Sequence, residues 1–237
     1  MNRDDLSSKL IHLTRGTWND AASVFINILK EKKLLGGTGD IKGKYKCICF
    51  SEAPIAKLSF ILADRSAFGF RYAPFGFMVD KKWLFEKGGR PVIYQPDEEY
   101  EILDAQHKFR HKEYNPSNGI DFTWEREWRI KTDELRLDYE HTTVVVPNRE
   151  WEEKILKDRD SRVQRRSFLG IGGIPISVIK NDWHIIVLED LGVTIPPENK
   201  EFELERLKES ADLYSEIYSE DKDLKELTET ASTGWPE

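Results

Sequence analysis

Cysteine is nearly absent from this chain: its 237 residues contain two, Cys47 and Cys49. Two thiols one residue apart supply neither a disulfide framework nor a zinc site of their own, so a reducing cytoplasm is the expected setting. Long apolar runs are missing too. No stretch approaches the ~20 residues needed to cross a bilayer. The opening Met-Asn-Arg-Asp-Asp-Leu-Ser-Ser-Lys lacks the apolar core of a signal peptide. No internal repeat is visible. The expectation is therefore neither a membrane protein, nor a secreted mini-protein, nor a fibrous repeat. Positive charge is not in surplus either, since 36 Lys and Arg stand against 43 Asp and Glu for a net −7.

What is present is a chain rich in rings, with 7 Trp, 8 Tyr and 12 Phe, which argues against global disorder despite 33% charged residues. The length is enough to bury a core without staples. Charge is unevenly placed. Residues 198–237 hold 13 acidic and 5 basic side chains, a balance of −8, and the remaining 30 acidic and 31 basic residues leave +1. The acidity belongs to the tail, and a nucleic-acid partner for the body is neither demanded nor ruled out. The chain thus reads as one domain over 1–197 and an acidic tail over 198–237. Within the tail, 200–218 is expected to be a helix with an apolar stripe of Leu204, Leu207, Ala211, Leu213, Tyr214 and Ile217.

Periodicity predicts the elements of the body. Strands are expected over 8–14, 45–50, 75–79, 91–94, 122–130, 142–147 and 185–188. Helices are expected over 18–35, capped by Thr17 or Asn19 and stopped at Gly36-Gly37, and over 53–63, 98–109 and 149–157, with one helical turn at 81–86. The order shows no regular strand–helix alternation. It predicts an α+β domain with a mixed, largely antiparallel sheet and flanking helices.

Four segments hold candidate chemistry. In Asp121-Phe-Thr-Trp-Glu-Arg-Glu-Trp-Arg129, strand alternation would set Phe122, Trp124, Arg126, Trp128 and Ile130 on one face and Thr123, Glu125, Glu127 and Arg129 on the other. Such a row is either a solvated face or a pair of working carboxylates. One glutamate can hold a ribose hydroxyl and stabilise positive charge developing at C1′, while the other orients or deprotonates a nucleophile. Arg129 would hold the carboxylates ionised or bind a phosphate. In His12-Leu-Thr-Arg-Gly16, a neutral imidazole beside the Thr14 hydroxyl can grip a sugar hydroxyl or a carboxamide, or be a structural histidine. In Cys47-Ile-Cys-Phe-Ser-Glu-Ala-Pro54, the cysteines read as small buried hydrophobes, and Ser51 and Glu52 as a helix cap or a pocket wall. Phe68-Gly-Phe-Arg-Tyr-Ala-Pro-Phe-Gly-Phe77 surrounds Arg71 with aromatics, which suits core packing, ring stacking or a pyrophosphate partner.

Together, the His-x-Thr, Cys-x-Cys-Phe-Ser-Glu-Ala-Pro, Tyr-x-Pro-Phe-Gly and Trp-Glu-x-Glu-Trp-Arg segments resemble AbiGi-type bacterial abortive-infection proteins. The layout is also similar to the ADP-ribosyltransferase fold of DarT-type and CmdT-type toxins. The resemblance covers about residues 8–190. It implies an ADP-ribosyltransferase-like domain that splits NAD⁺, releases nicotinamide and transfers ADP-ribose to an acceptor, nucleic acid (RNA or DNA) or protein, as a toxin or anti-phage effector. It further implies Glu127 as the catalytic glutamate on the ribose 2′-hydroxyl and Glu125 as the acceptor's residue. His12, Thr14, Ser51, Arg71, Tyr72 and Phe75 would contact NAD⁺: His12 on the nicotinamide ribose with Thr14 assisting, Arg71 on the phosphates, and Tyr72 or Phe75 on the nicotinamide ring. A cognate antitoxin or chaperone would be a further partner.

A basic run over 154–166 is either a solvated helix end or a phosphate-tracking patch. Gly170-Ile-Gly-Gly173 has the wrong spacing for a dinucleotide fingerprint. Two other classes stand beside the enzyme: a non-enzymatic binding module acting through the acidic tail, and a metal-dependent nuclease built on Asp121, Glu125 and Glu127 with Lys131 nearby.

Overall fold

In a strand, neighbouring side chains face opposite ways, and each strand at the centre of this protein carries apolar residues in both directions, so the sheet must be covered on both sides. A computed structural model of the protein describes residues 7–39, 41–66, 69–156 and 183–196. Its elements are β1 (Lys9–Leu13), α1 (Trp18–Glu31), β2 (Lys33–Leu35), β3 (Cys47–Ser51), α2 (Leu58–Ala63), β4 (Arg65–Ser66), β5 (Gly69–Phe70), β6 (Gly76–Asp80), α3 (Lys81–Glu86), β7 (Arg90–Pro91), β8 (Ile93–Gln95), β9 (His111–Glu113), β10 (Glu127–Lys131), β11 (Glu134–Arg136), β12 (Thr142–Val146), α4 over residues 149–156, and β13 (His184–Val187). Seven of the strands form one sheet in the order β13-β12-β6-β1-β3-β10-β7, antiparallel throughout except for the parallel β12–β13 pair. The α+β class with a largely antiparallel sheet is thus observed. Among the described residues no helix is long and apolar enough to cross a membrane.

One face of the sheet presents Leu10, Ile48, Phe50, Phe77, Val79, Trp128, Ile130, Val144 and Val146, and α1 packs Ala21, Ala22 and Phe25 onto it, joined by Trp151 and Ile155 of α4. The opposite face presents Ile11, Leu13, Met78 and Val145 to Leu58, Ile61 and Leu62 of α2. Helix α1 starts where Thr17 accepts a hydrogen bond from the Asp20 amide, as the sequence allowed, but it ends earlier than expected. Lys32 adopts a left-handed conformation and 33–35 turns into β2, because these residues pair with β11.

The chain divides into two compact units, Met1–Ile195 and Pro196–Glu237. The expected acidic helix over 200–218, most of the basic run and the glycine turn at 170–173 lie outside the described residues.

Three expected elements are corrected. Residues 98–109 do not form an α-helix: short 3₁₀ turns cover Asp97–Ile102 and Lys108–Arg110. Tyr100 and Phe109 are buried, but Ile102 between them is 79% exposed, so the segment has no continuous apolar face for a helix to bury. The strand expected over 122–130 begins at Glu127. Asp121 Oδ1 accepts hydrogen bonds from the Thr123 amide and hydroxyl, which closes a turn, and Arg126 takes a left-handed conformation that ends the 3₁₀ segment Thr123–Glu125. The expected strand at 91–94 is also two pieces, since the chain passes at Val92 from pairing with β10 to pairing with β9.

Candidate active site

The central sheet is split. Strand β1 pairs with β6 along its whole length, and β3 with β10 likewise, whereas β1 and β3 meet in register at Ile11 and Ser51 alone. Beyond that position the two strands part. His12 spans the gap with its ring, whose Nδ1 lies 2.8 Å from the Cys49 carbonyl oxygen. Burial, and secondarily the charge of Arg15, outweigh that hydrogen bond and lower the His12 pKa. The ring is therefore neutral near pH 7, Nδ1 donates to the carbonyl, and Nε2 keeps a lone pair for a ligand hydroxyl.

A cavity of about 390 Å³ opens at this split, within the usual range of small-molecule sites. Its wall includes His12, Thr14, Arg15, Cys49, Ser51, Tyr72, Lys112, Trp124, Glu125, Glu127 and Arg129. His12 and Glu127, more than a hundred positions apart in the chain, thus share one hollow.

Glu127 is buried at the start of β10. Arg129, two residues on and on the same face, grips it with both arms of its guanidinium: Nε to Oε1 at 2.7 Å and Nη2 to Oε2 at 3.1 Å. Arg129 is itself 2% exposed, and its Nη1 donates to the Phe109 and His111 carbonyls. Burial pushes the Glu127 pKa up, but the hydrogen bonds and charge of Arg129, with Lys112 at 4.0 Å and the Cys49 thiol, outweigh it and hold the carboxyl below its ordinary value. The result is a fixed carboxylate, ionised at neutral pH. Of the two roles open to Arg129, its contacts show the first, holding Glu127 ionised.

Glu125 reaches the cavity differently from the way strand alternation implied. The 3₁₀ turn, not a strand, presents it, and its carbonyl is pinned by the Ser51 hydroxyl at 2.6 Å. Its Oε1 accepts from the Tyr72 hydroxyl at 3.0 Å, and that hydroxyl accepts from Arg15 Nη2 at 3.3 Å. Burial raises the Glu125 pKa, against the pull of Lys112. The two carboxylic acids are therefore driven in opposite directions, Glu127 below its ordinary pKa and Glu125 above it, which is the pattern of an acid–base pair with divided roles.

The remaining expected residues divide. Thr14 lines the cavity, but its hydroxyl donates to the Phe75 carbonyl at 3.0 Å, and Ser51 braces the turn, so both support the site's shape. Tyr72 lines the cavity through its hydroxyl contact with Glu125. Two expectations are corrected. Arg71 is absent from the cavity wall and pairs with Asp64 at 2.7 Å, below the Phe122 ring. Phe75, just before β6, is fully buried against Trp18, Phe25 and Trp151 in the core.

Arg15 and Lys112 take the cationic places instead. Arg15 stands in the quoted His12–Gly16 segment, where it is the obvious cation beside the histidine. Lys112 is brought in by the parallel β8–β9 pair, for which the sequence carries no local signal. The nuclease grouping is not assembled: Asp121 is exposed and committed to Thr123, and Lys131 is exposed, its amine over the Tyr45 ring. Among the described residues no three His, Cys, Asp or Glu side chains gather as a metal site would require. Comparison with protein-family models, with curated proteins and with solved structures found no match to the chain.

Proposed function

We propose that the protein is an NAD⁺-dependent mono-ADP-ribosyltransferase whose active site is the cavity at the β1–β3 split. One observation carries the reading: a neutral imidazole, His12, and an ionised carboxylate, Glu127, face a single cavity from different halves of a split antiparallel sheet. The resemblance of the His-x-Thr and Glu-x-Glu-Trp-Arg segments to the transferase family supports it.

In this reading His12 Nε2 accepts from a hydroxyl of the nicotinamide ribose. Glu127 accepts from the ribose 2′-hydroxyl and stabilises positive charge at C1′ as the bond to nicotinamide breaks. The electron pair of that bond leaves with the ring nitrogen, so the pyridinium departs as neutral nicotinamide. The acceptor's oxygen or nitrogen bonds to C1′ and its proton passes to Glu125. Its raised pKa brings Glu125 nearer to working pH, where a general base is most effective. Arg15 and Lys112 are the cations left after Arg129 has neutralised Glu127, and they suit the pyrophosphate. Trp124, 40% exposed at the wall beside Glu125, offers an acceptor a flat surface, which favours nucleic acid over protein. Resemblance to abortive-infection proteins supports a role as a toxin or anti-phage effector, opposed in its cell by an antitoxin.

The test is incubation of the protein with labelled NAD⁺ and separate RNA, DNA and protein pools, with nicotinamide release measured alongside. Wild-type protein is expected to release nicotinamide and label one pool. Glu127→Gln and, on the other wall, His12→Ala should each lower release by about 100-fold or more, with circular dichroism unchanged, and Glu127→Gln should relieve growth inhibition. A folded Glu127→Gln protein that stays fully active and toxic overturns the reading.

A further inference from the structure

We infer that Tyr72 and Arg15 form a positioning chain that holds Glu125 in place as the base for the acceptor's proton, an inference that rests on the transferase reading of the same cavity. The geometry is directional. Arg15 Nη2 donates to the Tyr72 hydroxyl, and that hydroxyl donates onward to Glu125 Oε1, so its one proton has one destination. A hydroxyl that accepts from a guanidinium is polarised into a stronger donor. Burial and the charge of Glu125 push the Tyr72 pKa up, so the phenol stays protonated as a donor. The guanidinium also lies over the Tyr72 ring, 5.1 Å from its centre, which fixes the ring's plane.

The backbone of Glu125 is held from the other side. Its amide donates to the Phe122 carbonyl and its own carbonyl accepts from Ser51. Side chain and main chain are thus anchored to different segments, the first to the residues after β1 and β5, the second to the end of β3.

Among the described residues, five charged or titratable groups face Glu125: Lys112 of β9, Glu127 of β10, Tyr94 of β8, Tyr72 and Arg15. Burial favours the protonated acid and so does Glu127, whereas Lys112, the Tyr72 hydrogen bond and Arg15 favour the carboxylate. The Tyr72 hydroxyl is uncharged, bonds Glu125 directly and is removable without changing the ring. Removing it leaves Glu125 protonated up to a higher pH.

The experiment uses the full chain as wild type, Tyr72→Phe, Glu125→Gln and the double variant, with labelled NAD⁺ as the probe from pH 5 to 9. The acid limb of product formation should move to higher pH in Tyr72→Phe, by roughly 3- to 10-fold in proton concentration. A tyrosine that merely fills space would lower activity equally at every pH. Thermal melts give a reading that needs no NAD⁺. A carboxyl whose folded pKa is raised costs stability as pH rises through it, and Tyr72→Phe enlarges that cost. The loss of melting temperature caused by Tyr72→Phe should therefore be greater at pH 8 than at pH 5, and independent of pH when Glu125 is already Gln. An unmoved acid limb, or a pH-independent loss in both backgrounds, overturns the chain. Failure of the wild-type protein to consume NAD⁺ overturns the transferase reading and the base role with it, while the melts still report whether Tyr72 holds Glu125.

Discussion

Arg129 spends its guanidinium entirely inside the protein, on two carboxylate oxygens and two main-chain carbonyls. A buried carboxylate held this way is stable only while its partner remains, because an unpaired charge cannot recover the water it lost. Arg129→Met should therefore cost about 3–5 kcal/mol at pH 7, read as a lower urea midpoint with an unchanged slope. The sign of the pH dependence follows from the lowered Glu127 pKa. Stability from this carboxylate is present above its ordinary unfolded value and is lost as pH falls through the lower folded value. The penalty of Arg129→Met should shrink when the same measurement is made near pH 3, and a penalty that does not change with pH would show that the pair is not what the substitution breaks. Cys49 belongs to the same shell: burial pushes its thiol up to about 12, so it acts there as a neutral donor to Glu127 and not as a nucleophile.

At the scale of elements, the site depends on how closely β1 and β6 approach on one side so that β1 and β3 can part on the other. Gly76 stands opposite Leu13, and a Cβ placed on it would lie 2.6 Å from the His12 carbonyl oxygen. That is main chain, which cannot swing aside as a side chain would. Gly76→Ala should displace β1, weakening the protein by about 1–3 kcal/mol and reducing nicotinamide release further than an equally destabilising change far from the cavity. Equal losses in the two variants would show that β1 tolerates the shift. The elements also show which signals were readable. Strands with apolar residues on both faces, β1, β6 and β12, were found close to their true ends, because burial enforces the alternation. The Glu-x-Glu pair is legible as a unit, but its geometry is not: an Asp-capped turn competes locally with the strand, and the pattern of alternation is the same whether the chain extends or turns there. Arg71 and Arg15 show a related limit. Both are arginines beside aromatic or histidine residues, and what separates them is Asp64, which lies seven residues before Arg71 in no shared helix or strand and takes its guanidinium. The split between β1 and β3 was equally hidden, since it is a property of two strands 34 residues apart and not of either one.

Over the whole molecule, every cavity-lining residue among the described residues falls between Ile11 and Arg129, inside the compact unit Met1–Ile195. The negative charge is elsewhere: residues 198–237 carry −8 and the rest of the chain +1. A segment of that charge bears on which macromolecules approach the protein, whereas the residues proposed for bond breaking, His12 and Glu127, belong to the first unit. The transferase reading and the binding-module reading separate here. A chain ending at Pro197 should release nicotinamide from NAD⁺ within about twofold of the full chain at 0.15 M salt, because the His12 and Glu127 walls belong to the unit that is kept. Its net charge changes from −7 to +1. Its retention of RNA or DNA should therefore rise, and should fall again steeply with added salt, as counterion release requires. A truncated protein that folds with native circular dichroism but loses more than tenfold in nicotinamide release would assign the acidic segment a part in the chemistry. Loss of growth inhibition with nicotinamide release intact would instead place the tail in the choice of target.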